Sequence, residues 1–351
     1  MTPAEIVTNR LANQQITETT CRFPGEIVST LLAMQAQEYA LAKWAIGLRL
    51  PGSNEANIEK AFQHGEILRT HLMRPTWHFV SPADIRWLLK LTAPRVNAVN
   101  ASTYKKMELS ARDFNLCNDI LLRELEGGRQ LTRLELQAAL KKKKIEAAGL
   151  RLVCILMKAE LDAIICSGAR KGKQFTYALL EERVPAAREL SREEALAEIV
   201  RRFFTTRGPA SVQDFVYWSH LTIKDAKEGL AMLPSHFEFR KIDGKEFIFV
   251  PGTSVVNGNS SKATFLMPPY DEYGMGYKDR AAIFPEKKVP AESDPAFQHM
   301  IIIDGIFGGR WKRQVKNKGV IVETSIFPPV SKSKELKVMN AVKRYVEFVG
   351  V

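Results

Sequence analysis

The sequence predicts an α+β protein in which helices followed by a strand pair recur three times, ahead of a small β-rich region closed by one helix. Three observations carry that prediction. Apolar residues at i, i+3 and i+4 spacing give way three times to paired runs of strand character. Two Asp-Gly pairs, Asp243-Gly244 and Asp304-Gly305, stand between such runs and mark tight hairpins. Beyond about residue 261 the helical spacing stops, and aromatic-rich irregular sequence alternates with short strands.

In the first repeat, residues 3–12, 25–34 and 57–64 read as helices. Pro24 and Gly25 open the second of these, where Ile27, Val28, Leu31 and Leu32 form an apolar stripe. Strands follow at 67–73 and 76–80, with a bend at Arg74-Pro75. In the second repeat, helices at 83–91, 116–125, 132–140 and 149–161 precede strands at 163–167 and 174–180. The loop between those strands carries Arg170, Lys171 and Lys173 among glycines. In the third repeat, Ser191 and Glu194 have capping-box spacing at a helix start. Two helices at 211–219 and 222–233 are separated by a very short turn, and strands at 237–242 and 245–250 meet at Asp243-Gly244.

A helix–turn–helix followed by a hairpin is the winged-helix plan, whose second helix can enter a DNA major groove. The expected segments are residues 1–82, 83–188 and 189–258 for the three winged helices. Residues 259–351 make the β-rich region, read as a partial barrel, with strands at 300–303, 306–311 and 320–326 and a closing helix at 334–348.

The charge balance narrows the partners. There are 51 Lys and Arg against 39 Asp and Glu, a formal net charge of +12. Such a surface suits a polyanion, because neutralising phosphates releases condensed counterions. The run at residues 141–144 reads as a solvated helix end, with phosphate contact the alternative. Cys21, Cys117, Cys154 and Cys166 form no C-x-x-C and no zinc spacing, which fits core thiols in a reducing compartment. No secretory start and no membrane-length apolar run is present, so a cytoplasmic protein is expected. Phosphate-cradling glycine loops, G-x-G-x-x-G, H-E-x-x-H and G-x-S-x-G are all missing, and no cofactor or metal is expected.

Residues alone stop at a basic protein with repeated winged helices; a resemblance goes further. Met34-Gln35-Ala36-Gln37 resembles the glutamine–aliphatic–glutamine motif of the AlkZ-like DNA glycosylases, of the helix–turn–helix 42 superfamily. Residues 69–78, Arg69-Thr70-His71-Leu72-Met73-Arg74-Pro75-Thr76-Trp77-His78, look like that family's hairpin. Gly208-Pro209-Ala210-Ser211 with Asp214 and Trp218 is similar to its third helix–turn–helix. The blocks 268–280 and 304–311 are similar to its C-terminal part.

The resemblance implies three tandem winged-helix units arranged as a C around duplex DNA. It also implies hydrolysis of the N-glycosidic bond of N7-alkylated guanine and, in some members, unhooking of interstrand crosslinks. Gln35 and Gln37 then occupy the catalytic positions. Relatives with Asp at the second position form another branch; Gln37 sides with the crosslink-unhooking one.

Residues two apart on a helix point about 200° apart, so both glutamines can serve one nucleotide only if the helix ends or distorts near Gln35. Otherwise they are exposed polar residues on a helix running on to Trp44. Arg69, His71, Arg74 and His78 alternate with apolar residues and can share strand faces, as phosphate contacts or, for His71, as a satisfied core residue. Arg170, Lys171 and Lys173 are candidate minor-groove or backbone contacts, or simply a soluble loop tip.

The expectation is a monomeric, monofunctional enzyme on double-stranded DNA carrying alkylated purines. The alternatives are a non-catalytic winged-helix transcriptional regulator, which calls for a dimer and a palindromic site, and a winged-helix scaffold for proteins.

Overall fold

Local signals decide where most elements start and stop. In the computed structural model, which describes residues 1–187, 189–252, 263–284, 295–316, 319–327 and 330–350, the chain opens with α1 (Pro3–Asn13) and α2 (Pro24–Leu31). Thr2 and Glu5 close a capping box on α1. A short strand β1 (Ala33–Gln35) then leads to α3 (Tyr39–Arg49) and α4 (Glu55–His64).

Strands β2 (Leu68–Leu72) and β3 (Arg74–Val80) are antiparallel, with an irregularity between His71 and Leu72. Helix α5 (Pro82–Lys106) is far longer than expected, running 25 residues through Pro94. The helix expected at 83–91 continues past the proline, and Thr92 Oγ1 donates to the Leu88 carbonyl one turn back (2.8 Å). Then come α6 (Ala111–Leu125), β4 (Leu131–Thr132), α7 (Arg133–Lys142), α8 (Gly149–Leu161), β5 (Ile165–Ser167), β6 (Thr176–Leu179) and α9 (Leu180–Arg183). The order β4-β6-β5 makes a three-stranded sheet.

Helix α10 (Arg192–Arg207) starts at the expected Ser191–Glu194 box, in which Ser191 Oγ accepts from the Glu194 N–H (3.2 Å). Helices α11 (Val212–Ser219) and α12 (Ile223–Leu230) each begin with a complete capping box, Ser211 with Asp214 and Thr222 with Asp225. His220 in the left-handed conformation turns one helix into the other. The hairpin β7 (Glu238–Ile242) and β8 (Lys245–Phe249) turns at Asp243-Gly244, both at positive φ.

The C-terminal part holds β9 (Thr264–Met267), α13 (Glu272–Met275), β10 (Met300–Ile303), β11 (Ile306–Lys316), β12 (Gly319–Ile326) and α14 (Lys332–Val349). Its sheet is open, in the order β12-β11-β10-β9, so the expected partial barrel is corrected to an open antiparallel sheet. A bulge between Ile301 and Ile302 bends it without bringing its edges together. The tail of the third expected repeat, from residue 253, lies outside the described residues.

Two compact units result: residues 1–59 with 197–351, and residues 60–196. The boundary at 59/60 falls inside the first expected winged-helix segment.

In the first unit, α3 and α14 cover the open sheet. Trp44 packs its ring 5.1 Å from both Tyr345 and Phe348, and Trp311 packs 4.8 Å from Tyr345. Their indole N–H groups donate to the Leu266 (2.7 Å) and Met267 (2.8 Å) carbonyls, which satisfies both buried donors. Gly47 is required there, since a Cβ would stand 2.3 Å from the Phe348 ring.

In the second unit, α5 and α8 pack on β2, which is buried along its whole length. All four cysteines are buried and unpaired. Among the described residues no helix is long and apolar enough to cross a membrane.

Candidate active site

The two glutamines do not sit on a helix. Helix α2 ends at Leu31, and Leu32 takes φ +69°, with its N–H donating to the Ser29 carbonyl (3.1 Å). That turn throws the next residues into extended chain, where residues two apart return to one side. Gln35 ends β1 and is 8% exposed, while Gln37 lies in the following bend and is exposed. Gln35 Oε1 accepts the backbone N–H of Gln37 at 3.0 Å. The first side chain therefore sets the backbone that carries the second. This is the break near Gln35 that joint action requires, and the alternative of a helix running on to Trp44 is overturned.

A buried polar cluster in the same unit grips this turn. Arg207 Nη2, at the end of α10, donates to the carbonyls of Leu31 and Ala33, each at 3.1 Å. The Gln35 N–H donates to Glu272 Oε1 (3.0 Å). The other oxygen of Glu272 accepts from Arg207 Nη2 (2.6 Å), Arg207 Nε (3.2 Å) and Trp218 Nε1 (2.9 Å).

Sequence reading gave none of these three a role. The available signal was indirect: Trp218 lies in the block that resembles the family's third helix–turn–helix, and Glu272 lies in the block 268–280.

The basic candidates of the second unit separate into two groups. Arg69, His71 and His78 are internal, at 7%, 6% and 1% exposure. The guanidinium of Arg69 stacks 4.3 Å from the Trp77 ring centroid and 4.6 Å from that of Phe175. His71 Nδ1 stands 2.5 Å from Glu160 Oε2, and burial pushes the Glu160 carboxyl above its ordinary value against the pull of His71. His78 Nδ1 is 3.0 Å from the Thr76 carbonyl oxygen. Three of the four residues expected to share strand faces as phosphate contacts are thus internal. Helix α8 supplies a carboxylate to His71, and Trp77 on β3 with Phe175 just before β6 supplies an aromatic wall to Arg69.

Arg74 and Arg170 are half-buried, and Lys171 and Lys173 are exposed. Lys171 Nζ pairs with Glu135 Oε1 (3.1 Å), while Arg170 Nη2 donates to the Lys173 carbonyl (2.9 Å). Arg69, Trp77, Arg133, Lys173 and Phe175 line a cavity of about 460 Å³ in this unit. Among the described residues no group of three His, Cys, Asp or Glu side chains is gathered as a metal site.

The two glutamines thus stand on an extended segment that a buried ion pair anchors. The family model described as DNA glycosylase AlkZ-like matches residues 28–348. The chain belongs to the AlkZ-like family and is a DNA glycosylase.

Among characterised relatives, it is 21% identical over 321 residues to the interstrand DNA cross-link repair glycosylase of Streptomyces sahachiroi, covering 86% of this chain and 85% of that one. Its fold is similar to the solved Streptomyces sahachiroi DNA glycosylase AlkZ, with a TM-score of 0.79 and 17% identity. That match covers 99% of this chain and 96% of the other.

Proposed function

We propose that the enzyme hydrolyses the N-glycosidic bond of N7-alkylguanine in duplex DNA without cutting the strand, and that it unhooks interstrand crosslinks built on that adduct. Gln35 and Gln37 are the catalytic pair in this reading. The crosslink part follows from the likeness to the interstrand DNA cross-link repair glycosylase of Streptomyces sahachiroi. The repeated helix–hairpin order is read as three winged-helix units that give the enzyme, a cytoplasmic monomer, its duplex-binding scaffold.

Two amides suffice for this substrate. An amide cannot take a proton as a carboxylate does, but it accepts hydrogen bonds through its oxygen and donates through its nitrogen. N7-alkylated guanine is already cationic. As the C1′–N9 bond breaks, its electron pair passes to the base, which leaves neutral. Water adds to C1′ and releases its proton to solvent, leaving an abasic sugar. What catalysis requires is an aligned water and a dipole beside the developing sugar cation. Gln35 Oε1 spends one lone pair on the Gln37 N–H and keeps a second for water; Gln37 offers its amide from the exposed position.

The observation that carries the proposal is the Gln35 Oε1 contact to Gln37 N inside an anchored extended segment. The test is release of 7-methylguanine from methylated duplex, and unhooking of a crosslinked duplex. Gln35→Ala/Gln37→Ala is expected to lose on the order of 10²–10³-fold in single-turnover rate while still binding duplex. A double variant as fast as the wild type in both assays removes the catalytic reading. DNA binding indifferent to alkylation, with no base release by the wild type, is the result a non-catalytic regulator would give.

A further inference from the structure

We propose that Glu272 is the positioning residue of the catalytic pair, holding Gln35 through its backbone N–H and holding the turn before it through Arg207. This rests on the reading of Gln35 and Gln37 as catalytic.

Glu272 is 2% exposed and faces four N–H donors: the Gln35 backbone, two from Arg207 and the Trp218 indole. Among the described residues, every recorded hydrogen-bond partner of its carboxylate is a donor. Only a carboxylate supplies acceptance on both oxygens; an isosteric amide must turn its own NH₂ towards a donor at one end or the other. The side chain therefore matches its surroundings in kind, not merely in size.

The anchoring converges on one short stretch. Arg207 holds the carbonyls of Leu31 and Ala33, and Glu272 holds the N–H of Gln35. Those three points bracket Leu32, the positive-φ residue that converts helix into strand. Arg207 is itself fixed, with its guanidinium 4.4 Å from the Trp218 ring and its carbonyl accepting from the Tyr277 hydroxyl (2.9 Å).

From Tyr277 the network continues through Gln14 (2.9 Å) to Arg49, whose guanidinium makes a bidentate pair with Asp271 at 2.8 Å on both sides. Asp271 and Glu272 are neighbours at the start of α13, so the network closes on the helix it began from. Breaking a buried ion pair is costly, yet apolar replacement of both partners is often neutral for stability. Stability alone therefore does not call for this pair. What the ions provide here, and an apolar pair would not, is a defined position for the Gln35 backbone.

Glu272→Gln is expected to slow single-turnover release of 7-methylguanine by on the order of 10²-fold, the cost of misplacing a catalytic group by about 1 Å. Affinity for uncleaved methylated duplex stays near the wild-type value. Because Glu272→Gln strands the Arg207 charge and can unfold the unit, Arg207→Met/Glu272→Met is measured beside it; it keeps the core filled and is expected to show the same slow release. Hydrogen exchange of the 33–37 amides is the second readout, and it rises in both variants with the rest of the first unit unchanged.

A folded double-Met variant with wild-type release and wild-type exchange at 33–37 overturns the proposal. Raised exchange together with a wild-type enzyme that releases no base would leave the positioning role standing and remove the catalytic reading instead.

Discussion

Leu32 shows most directly how one residue shapes the site. A bulky side chain at φ +69° costs on the order of 1–3 kcal/mol, and that conformation persists only where neighbours over-determine it. Here the neighbours are the two carbonyl contacts of Arg207 on either side.

The exposed cations are distinguished by what they already touch. Lys171 spends its ammonium on Glu135, whose carboxyl is lowered to about 2, chiefly by hydrogen bonds from Thr132 and then by Lys171. Lys173 has no such carboxylate among the described ion pairs. If both lie along DNA, Lys173→Ala lowers the slope of log affinity against log salt by about 0.9, the share of one phosphate contact. Lys171→Ala lowers it by less than half as much. Equal losses, or none from Lys173, contradict this division; fluorescence anisotropy across a salt series measures both.

At this scale the sequence displayed the two glutamines proposed as catalytic but not their support. Glu272 lies 237 positions from Gln35, and nothing local in either segment announces the contact.

Elements were the most legible level where the signal is local. Both Asp-Gly turns and the Ser191–Glu194 box lie where turn and capping chemistry put them, and the closing helix lies where it was expected. The failures have physical causes. Helix α5 passes Pro94, and α2 stops at Leu31 although its apolar stripe continues to Leu32. The bend there is imposed by Arg207, which tertiary structure brings from far along the chain.

The open sheet carries a titration of its own. His299 packs edge-on to Trp311 at 4.8 Å, and burial, helped by Arg313, lowers its value to about 4. A histidine depressed on folding binds fewer protons than in the unfolded chain. Its stabilising contribution is therefore complete above about pH 6.5 and is lost as pH falls towards 4. His299→Phe should flatten the acid limb of the stability–pH curve between those values, followed by urea denaturation at each pH. An unchanged acid limb counts against it.

At the scale of the molecule, a basic balance and repeated helix–hairpin order pointed to nucleic acid, and the family match makes the chain a DNA glycosylase. The glutamine motif was legible because the resemblance gave it meaning; spacing alone favoured exposed residues on a helix. In the proposed mechanism the leaving base carries its own positive charge, so that two uncharged amides are enough. Single-turnover release of 7-methylguanine against hypoxanthine, an uncharged base, from otherwise identical duplexes tests this most directly. The cationic base is expected to leave faster by on the order of 10³-fold, equivalent to about 4 kcal/mol in barrier. Comparable rates for the two bases would contradict it.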